Sequence, residues 1–224
     1  MRLLILGATG PVGILLAREA LTSLENCSLV LYIRSPDKVP EDIKSNPAVT
    51  IIEGQLTNLE SLSGAMEGVD AVLSALGPSV RKGPFHPSGC PLAAAIENVI
   101  QIMHKKGIKR LIVLGTASIT APEDKPDIKF KALVTAVSLG AHNAYKDVVA
   151  IGENIKKESD LDWTIVRVPL LTDKEKRDVV SGFIGDGKVG TTLARVGFGV
   201  FVIRGLLKMN NSAWIRKAPV ICTP

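Results

Sequence analysis

Six short apolar runs recur along the chain and alternate with longer stretches of helical periodicity. Each run has apolar residues at successive positions rather than at every second one, which is typical of strands buried on both faces of a parallel sheet. The runs are LLIL (3–6), LVLYI (29–33), VTII (49–52), AVLSAL (71–76), RLIVLG (110–115) and WTIVRV (163–168). The periodicity between them predicts helices at about 11–24, 58–66, 91–106, 144–158 and 192–208.

This alternation predicts an α/β fold, a Rossmann-type doubly wound parallel sheet with helices on both faces. The chain shows no linker-like stretch, so we expect one domain over residues 1–224. Two long irregular segments, 77–91 and 119–130, follow the fourth and fifth runs. Ligands bind at the carboxyl ends of the strands in such sheets. We therefore expect substrate-side elements from 77–91, from 119–145 and from a small C-terminal extension, 170–224.

Composition excludes several kinds of partner. Hydrophobic residues make up 46% of the chain and charged residues 22%, as in an ordered globular protein. The net charge of +5 is dispersed, and the densest basic cluster, KKGIKR (105–110), is typical of a solvated turn. The apolar run at 3–6 is too short for a signal peptide, and no run approaches the roughly 20 residues of a spanning helix. We expect a soluble cytoplasmic protein that binds neither nucleic acid nor membrane.

Neither the cysteines nor the histidines form a metal-binding pattern. The cysteines are odd in number, widely spaced and without a CxxC pair, so we expect reduced thiols. The histidines lack further ligands at the spacing that metal sites use. The residues concerned are Cys27, Cys90, Cys222, His86, His104 and His142. We expect no metal site.

The first run continues into a glycine-rich turn, GATGPVG, that opens a helix. In a dinucleotide-binding turn, Gly7 permits the tight bend, Gly10 lets the backbone approach a pyrophosphate and Gly13 lets the helix pack on the sheet. The helix N-terminus offers free N–H groups to phosphates, and Pro11 suits its first turn. A plain strand–turn–helix without a ligand is the alternative.

The end of the second strand predicts which dinucleotide binds. An acidic residue there holds the ribose of NAD, whereas a basic one accommodates the 2′-phosphate of NADP. The chain has Arg34, Ser35 and Lys38, with no acid before Asp37. A guanidinium and a hydroxyl suit a phosphate, so we expect NADP(H). The alternative is that Arg34 is a solvated strand end.

The motifs GATGPVG, RSPDK, EGQLTN, LSALGP and LDWTIVRVP, in this order, resemble the atypical short-chain dehydrogenases. Among these the chain is most similar to NmrA-like and biliverdin reductase B (flavin reductase)-like NAD(P)-binding proteins, particularly fungal ones. The resemblance implies cofactor contacts at six places along the chain. These are Gly7, Thr9, Gly10, Pro11, Val12 and Gly13 at the pyrophosphate, with Arg34, Ser35 and Lys38 at the 2′-phosphate; Gln55 and Leu56 at the adenine; Ser74, Ala75, Leu76 and Gly77 at the ribose; Thr116, Ala117 and Ser118 at the nicotinamide; and Val168, Pro169 and Leu170 at its carboxamide.

The catalytic residues depart from the family's pattern. Members with the standard mechanism use a tyrosine and a lysine four positions later, where the lysine lowers the pKa of the tyrosine. Here Tyr145 is followed at that position by Val149, and Lys146 is adjacent instead. Ser118 and Tyr145 form our candidate proton-donating pair, with a packing role for Tyr145 as the alternative. The histidines His86 and His142 are other possible donors that equally suit plain loop positions.

These residues predict an NADPH-dependent reductase that transfers hydride to a small apolar acceptor such as a flavin, quinone, enone or carbonyl. Flavin-reductase-like relatives achieve this largely by proximity, with solvent supplying the proton. An apolar lid at 130–145 and Phe85 would wall the acceptor pocket. Two alternatives stay open: an NADP-binding regulator without turnover, and a non-redox isomerase or cyclase. We expect a monomer or a homodimer.

Overall fold

The computed structural model describes residues 1–78, 85–209 and 212–224. Strands and helices alternate through the first three-quarters of the chain. The strands are β1 (Arg2–Leu6), β2 (Ser28–Ile33), β3 (Val49–Glu53), β4 (Ala71–Ser74), β5 (Arg110–Thr116), β6 (Asp162–Val168), β7 (Leu170–Thr172), β8 (Val180–Gly182), β9 (Thr192–Ala194) and β10 (Val220–Cys222). The helices are α1 (Pro11–Ser23), α2 (Glu41–Lys44), α3 (Leu59–Ala65), α4 (Pro91–Lys106), α5 (Ile128–Gly140), α6 (His142–Lys156) and α7 (Arg195–Val200).

The main sheet has the strand order β3-β2-β1-β4-β5-β6-β10-β8. Its strands are parallel except β8, which pairs antiparallel with β10. A second, two-stranded parallel sheet joins β7 to β9. The strand order reverses between β1 and β4, and ligands bind at such a reversal in open sheets of this kind, outside the carboxyl ends of the strands. The predicted Rossmann-type parallel sheet is confirmed.

The sheet is buried on both faces. In β1, Leu4 and Leu6 belong to the apolar cluster that α4 and α6 cover, whereas Leu3 and Ile5 belong to the one that α1 and α7 cover. All four side chains are fully buried. This is why the sequence shows unbroken apolar runs instead of alternation, and the prediction of helices on both faces is confirmed.

Three features of the prediction need correction. The fourth strand ends at Ser74 rather than at residue 76, and the fourth predicted helix begins at His142 rather than at residue 144. Within the predicted lid and the irregular segment before it, residues 128–140 form α5, which is apolar on most sides and therefore lacks the periodicity of an amphipathic helix. Residues 79–84 of the first irregular segment lie outside the described residues.

The last predicted helix, at 192–208, is only partly helical. Its first three residues form β9, because they pair with β7, a partner that local sequence does not reveal. The helix proper, α7, begins at Arg195 and continues as wider π-type turns over Phe201–Lys208. Strands β7 to β10 have three residues each, too few to show a period.

One buried arginine ties the C-terminal strands to the loop after β5. Arg167 on β6 has no exposed surface and forms two hydrogen bonds of 2.7 Å with the carboxylate of Asp124. Its guanidinium also donates to the carbonyl oxygens of Ala218 and Ile119, at 2.6 and 2.8 Å. The same carboxylate accepts the N–H of Ile184. This ion pair therefore connects β6 with three segments beside the carboxyl edge of the sheet, namely the loop after β5, the segment after β8 and the residues before β10.

We expect Asp124→Ala to lower the free energy of unfolding by about 3–5 kcal/mol, because it leaves a buried guanidinium without its charge partner. The control is Asp173→Ala, which breaks an exposed pair with Arg195 and should cost at most about 1 kcal/mol. Urea denaturation measures both. Equal losses in the two variants would contradict a structural role for the buried pair.

A second buried charge, Glu19 on α1, attaches the helical segment Phe201–Lys208 to α1. Glu19 accepts hydrogen bonds from Ser23 at 2.8 Å and from Arg204 at 2.6 Å, and it pairs with Arg177. Burial raises the pKa of the Glu19 carboxyl, but the three donors outweigh this effect and hold the pKa below its ordinary value. The carboxylate is therefore stabilised in the folded state.

This depressed pKa makes the attachment acid-sensitive. Because the folded pKa lies below the unfolded value of about 4.3, the stabilisation is complete above that pH and is lost as the pH falls through the folded pKa. We expect the advantage of the wild type over Glu19→Gln in unfolding free energy to shrink as the pH falls below about 4.3. Urea titrations across this range test it, and an advantage that stays constant with pH would refute it.

Candidate functional site

Two of the three glycines in the turn after β1 are required by the packing of the chain itself. Gly7 has φ +77°, and a Cβ there would lie 2.9 Å from the carbonyl carbon of Ala75. A Cβ at Gly13 would lie only 2.2 Å from the carbonyl oxygen of Gly7. Since both contacts involve backbone atoms, α1 reaches its place against β1 only with glycine at these positions.

The third glycine is not required in this way. Gly10 has φ −82°, which any residue adopts, and a Cβ there would meet only the Gly7 oxygen, at 3.4 Å. Gly10 precedes Pro11 at the start of α1, and no side chain caps the helix. Thr9 is half-buried beside it, while Val12 packs into the core. Internal packing therefore does not require a glycine at position 10, and the predicted approach of a phosphate to the free first-turn N–H groups stays a prediction.

The ends of β2 and β3 enclose a cleft of ≈ 370 Å³. Arg34 and Gln55 line it, together with Glu53, Gly54, Thr57 and Asn58. Arg34 is exposed, and its guanidinium makes no hydrogen bond to any other residue that the structure describes. Ser35 is half-buried, and Lys38 is exposed at the end of a 3-10 turn. The structure thus places a free cation beside a side-chain amide.

Two residues near this cleft differ from the sequence-based picture. Leu56, predicted at the adenine, is half-buried and packs against the apolar core rather than lining the cleft. Glu53, which the sequence analysis did not single out, lines the cleft at the end of β3. Its position as the last residue of the third strand is the signal that could have found it.

The ends of β4 and β5 lie next along the carboxyl edge. Ser74 is buried, and its hydroxyl accepts the N–H of Leu76 at 3.4 Å. Ala75 donates its N–H to Leu6 at the end of β1, at 2.9 Å. Gly77 is exposed, and a Cβ there would touch only Leu114, at 3.7 Å. The β4 end therefore borders the glycine turn directly.

After β5 the chain makes a tight turn beside β6. The hydroxyl of Thr116 accepts the N–H of Ser118 at 3.2 Å, and Thr116 is in register with Val168, the residue before the buried Pro169. Ala117 belongs to a small apolar cluster at this edge. Its members are Ala117, Phe130 and Val220, with Val134, Ile184 and Val189 packed against them. The β5 end thus combines backbone and hydroxyl groups with an apolar wall.

Comparison with protein families identifies this arrangement. A family model described as NAD(P)H-binding matches residues 7–206, which is most of the chain. The chain belongs to this NAD(P)H-binding family. A comparison with curated proteins finds no match.

Solved structures share the fold. A short-chain dehydrogenase/reductase from Veillonella parvula, in complex with NADP, superposes with a TM-score of 0.78 at 22% identity, covering 100% of this chain and 94% of that one. The oxidoreductase ylbE from Lactococcus lactis gives 0.74 at 19% identity, with 100% and 91% covered. ChuY, an anaerobillin reductase from Escherichia coli O157:H7, gives 0.71 at 18% identity, with 100% and 98% covered.

The site of this family member suits a dinucleotide phosphate. The open position at Gly10, the uncapped start of α1 and the unpaired guanidinium of Arg34 all lie at the carboxyl edge of β1 and β2. Each supplies positive charge or N–H groups without an internal acceptor among the described residues. In the same described part of the chain, no group of three His, Cys, Asp or Glu side chains could hold a metal, and no helix is long and apolar enough to cross a membrane.

The predicted proton-donating pair is not joined in the structure. Tyr145 is half-buried in the first turn of α6, and no hydrogen bond links it to Ser118 within the described residues. Val149 is half-buried one turn later, and Lys146 is exposed. The pair therefore stays a prediction.

A fully buried carboxylate on the same helix was missed by the sequence analysis. Asp147 accepts hydrogen bonds from the N–H groups of Leu92 and Ala93 at the start of α4, at 3.0 and 2.8 Å. It also bonds Nε2 of His86 at 2.7 Å, while Asn143 donates to the His86 carbonyl. His86 is thus a loop anchor in the structure. A charged residue on the apolar face of an amphipathic helix was the available signal.

The predicted lid is exposed and apolar. In α5 only Phe130 is buried, whereas Ile128 and Leu139 are 83% and 81% exposed. Phe85 is 82% exposed. These side chains are available to an apolar molecule, although the structure shows no closed acceptor pocket within its described part.

Two alanine substitutions separate packing from binding in the glycine turn. We expect Gly13→Ala to lower the melting temperature by several degrees, because the methyl group collides with the Gly7 carbonyl. We expect Gly10→Ala to keep the wild-type melting temperature but to weaken NADPH binding about tenfold or more, because the added methyl group would lie where we predict that the phosphates bind. Thermal unfolding and NADPH fluorescence measure the two effects. Unchanged NADPH binding by Gly10→Ala would contradict this assignment.

Proposed function

We propose that the chain is an NADPH-dependent reductase that transfers hydride to a small apolar acceptor, such as a flavin, quinone, enone or carbonyl. The observation that carries the proposal is the unpaired Arg34 in the cleft that Gln55 also lines, beside the open glycine turn. A planar guanidinium without an internal acceptor suits the 2′-phosphate that distinguishes NADP from NAD. The NADP bound to the Veillonella protein agrees with this choice.

The apolar cluster at the β5 end supports the acceptor class. Ala117 and Phe130 face one small cluster, and the exposed side chains of α5 extend the apolar surface nearby in the chain. An apolar acceptor would be desolvated against such a wall, and orientation against the nicotinamide would contribute most of the rate. A strongly charged substrate would gain nothing from it.

In the proposed mechanism the bound dinucleotide supplies the hydride. The chain's own residues bind and orient it through backbone N–H groups, hydroxyls, a side-chain amide and two cations. The proposed contacts are Gly7, Thr9, Gly10, Pro11, Val12 and Gly13 for the diphosphate; Arg34, Ser35 and Lys38 for the 2′-phosphate; Gln55 for the adenine; Ser74, Ala75, Leu76 and Gly77 for the ribose; and Thr116 and Pro169 for the nicotinamide. The hydroxyls of Ser118 and Tyr145, or solvent, deliver the proton.

A second candidate function is an NADP-binding regulator without turnover. Val149 stands where a proton-tuning lysine would follow Tyr145, and Lys146 is directed to solvent. The site would then bind the dinucleotide and report its concentration or redox state through the surfaces around it. For either function we propose the flavin-reductase-like branch of the family, a cytoplasmic location and a monomer or homodimer.

The test begins with cofactor preference. We expect NADPH to bind more tightly than NADH, and Arg34→Ala to weaken NADPH about 10- to 100-fold with little effect on NADH, because a charge-assisted contact to phosphate is lost. Lys105→Ala, an exposed change at the far end of α4, is the control. Cofactor fluorescence measures binding. Equal affinities for NADPH and NADH would refute the NADP assignment.

Turnover separates the two functions. Mixing the wild type and NADPH with menadione, FMN or an enone should oxidise NADPH, followed at its absorbance band. NADPH binding without oxidation of NADPH by any of these acceptors would replace the reductase with the regulator.

A further inference from the structure

Residues 54–57 form the wall of the cleft at the ends of β2 and β3. They follow the last residue of β3, precede α3 and belong to no helix or strand. Such a segment orders itself at an entropic cost unless other elements hold it. Two side chains from distant elements do so here.

Tyr32 on β2 forms a hydrogen bond with the wall and packs against it. Its hydroxyl donates to the carbonyl oxygen of Gln55 at 2.9 Å, and the ring is only 3% exposed. A Cβ at Gly54 would lie 2.3 Å from that hydroxyl, so the ring lies directly against Gly54. The N–H of Asn58 donates to the same Gln55 oxygen at 2.8 Å. With two donors on one carbonyl, the peptide plane at Gln55 is fixed.

Asn98 on α4 holds the other end of the wall. Its side-chain amide donates to the carbonyl oxygen of Leu56 at 3.0 Å, across 42 residues of sequence. The side chain of Leu56 packs into the core that α4 helps to cover. Asn98 itself is half-buried near the middle of α4, a position with a rigid backbone.

We infer that Tyr32 and Asn98 are positioning residues for the adenine half of the cofactor site. Both act through the backbone of Gln55 and Leu56, and the inference rests on the proposed function in that it takes this cleft as the adenine side. Holding the wall in place before binding removes an ordering cost from the binding step. The effect is confined to the adenine end, because neither side chain bonds to the glycine turn or to the β5 end among the described residues.

The experiment uses two fragments of the cofactor and the full chain. Adenosine 2′,5′-bisphosphate probes the adenine end, and reduced nicotinamide mononucleotide probes the other. We expect Tyr32→Phe to weaken the adenosine fragment about three- to tenfold, through the loss of one hydrogen bond. We expect Asn98→Asp to weaken it about tenfold, since a carboxylate oxygen then faces the Leu56 carbonyl. Binding of the nicotinamide fragment should stay as in the wild type.

The matched control is Gln101→Glu, which makes the same amide-to-carboxylate change at an exposed position one turn along α4. It should leave binding of the adenosine fragment unchanged. If both fragments weaken equally in Tyr32→Phe and Asn98→Asp, the two residues serve general stability and the inference fails. It also fails if binding of the adenosine fragment is unaffected.

A measurement without ligand separates this inference from the proposed function. Hydrogen exchange of the peptide spanning residues 50–60 should become faster in Tyr32→Phe and Asn98→Asp, while Gln101→Glu should match the wild type. Unchanged exchange in the first two variants would overturn the positioning role whether or not the protein binds NADPH. Faster exchange in Tyr32→Phe and Asn98→Asp, together with a wild type that binds neither fragment, would show that the two side chains hold the wall but would refute the cofactor assignment and, with it, the inference.

Discussion

The contact between Gly13 and the Gly7 carbonyl is the constraint on which the site depends. There is no room for a side chain between Gly13 and the Gly7 carbonyl, so the first turn of α1 lies directly on the carboxyl edge of the sheet. Because β1 lies between β2 and β4 in the sheet, the ends of both neighbours meet this helix end. Gly10 lies in the turn between β1 and α1, where the packing of the chain does not require a glycine. One backbone contact thus assembles the free N–H groups and the flanking strand ends in one place.

The central fold could be predicted because its signals are local. β1 to β6 coincide with largely apolar runs of four residues or more, and all of them except the edge strand β3 are buried on both faces. The C-terminal strands carry no such signal. β7 to β10 are three residues long and depend on pairing, and the segments beside β8 and β10 are also held by the Arg167–Asp124 ion pair, whose members are 43 positions apart. α5 was missed for the opposite reason, since its apolar residues surround the helix and blur its period.

The candidate site likewise contains some residues that the sequence predicts and others that it does not. The glycine turn and Arg34 could be predicted because each directly follows a strand that the sequence reveals. The supporting residues could not. Tyr32 and Asn98 reach backbone carbonyls 23 and 42 residues away, and Asp147 reaches N–H groups 54 and 55 residues away. Each residue alone suits an ordinary core or surface position, and only the folded chain shows what it touches.

The helix α4 joins two of these supporting contacts in one rigid element. Asp147 fixes its first turn to α6, and Asn98, about 8 Å further along its axis, fixes the wall at Leu56. A helix of 16 residues resists bending over that distance, so the helix cannot shift at one contact and stay still at the other. The loop at His86, which Asp147 holds, and the wall at Leu56 are therefore supported by the same rigid helix. Any movement that displaced α4 at one of these contacts would also displace it at the other.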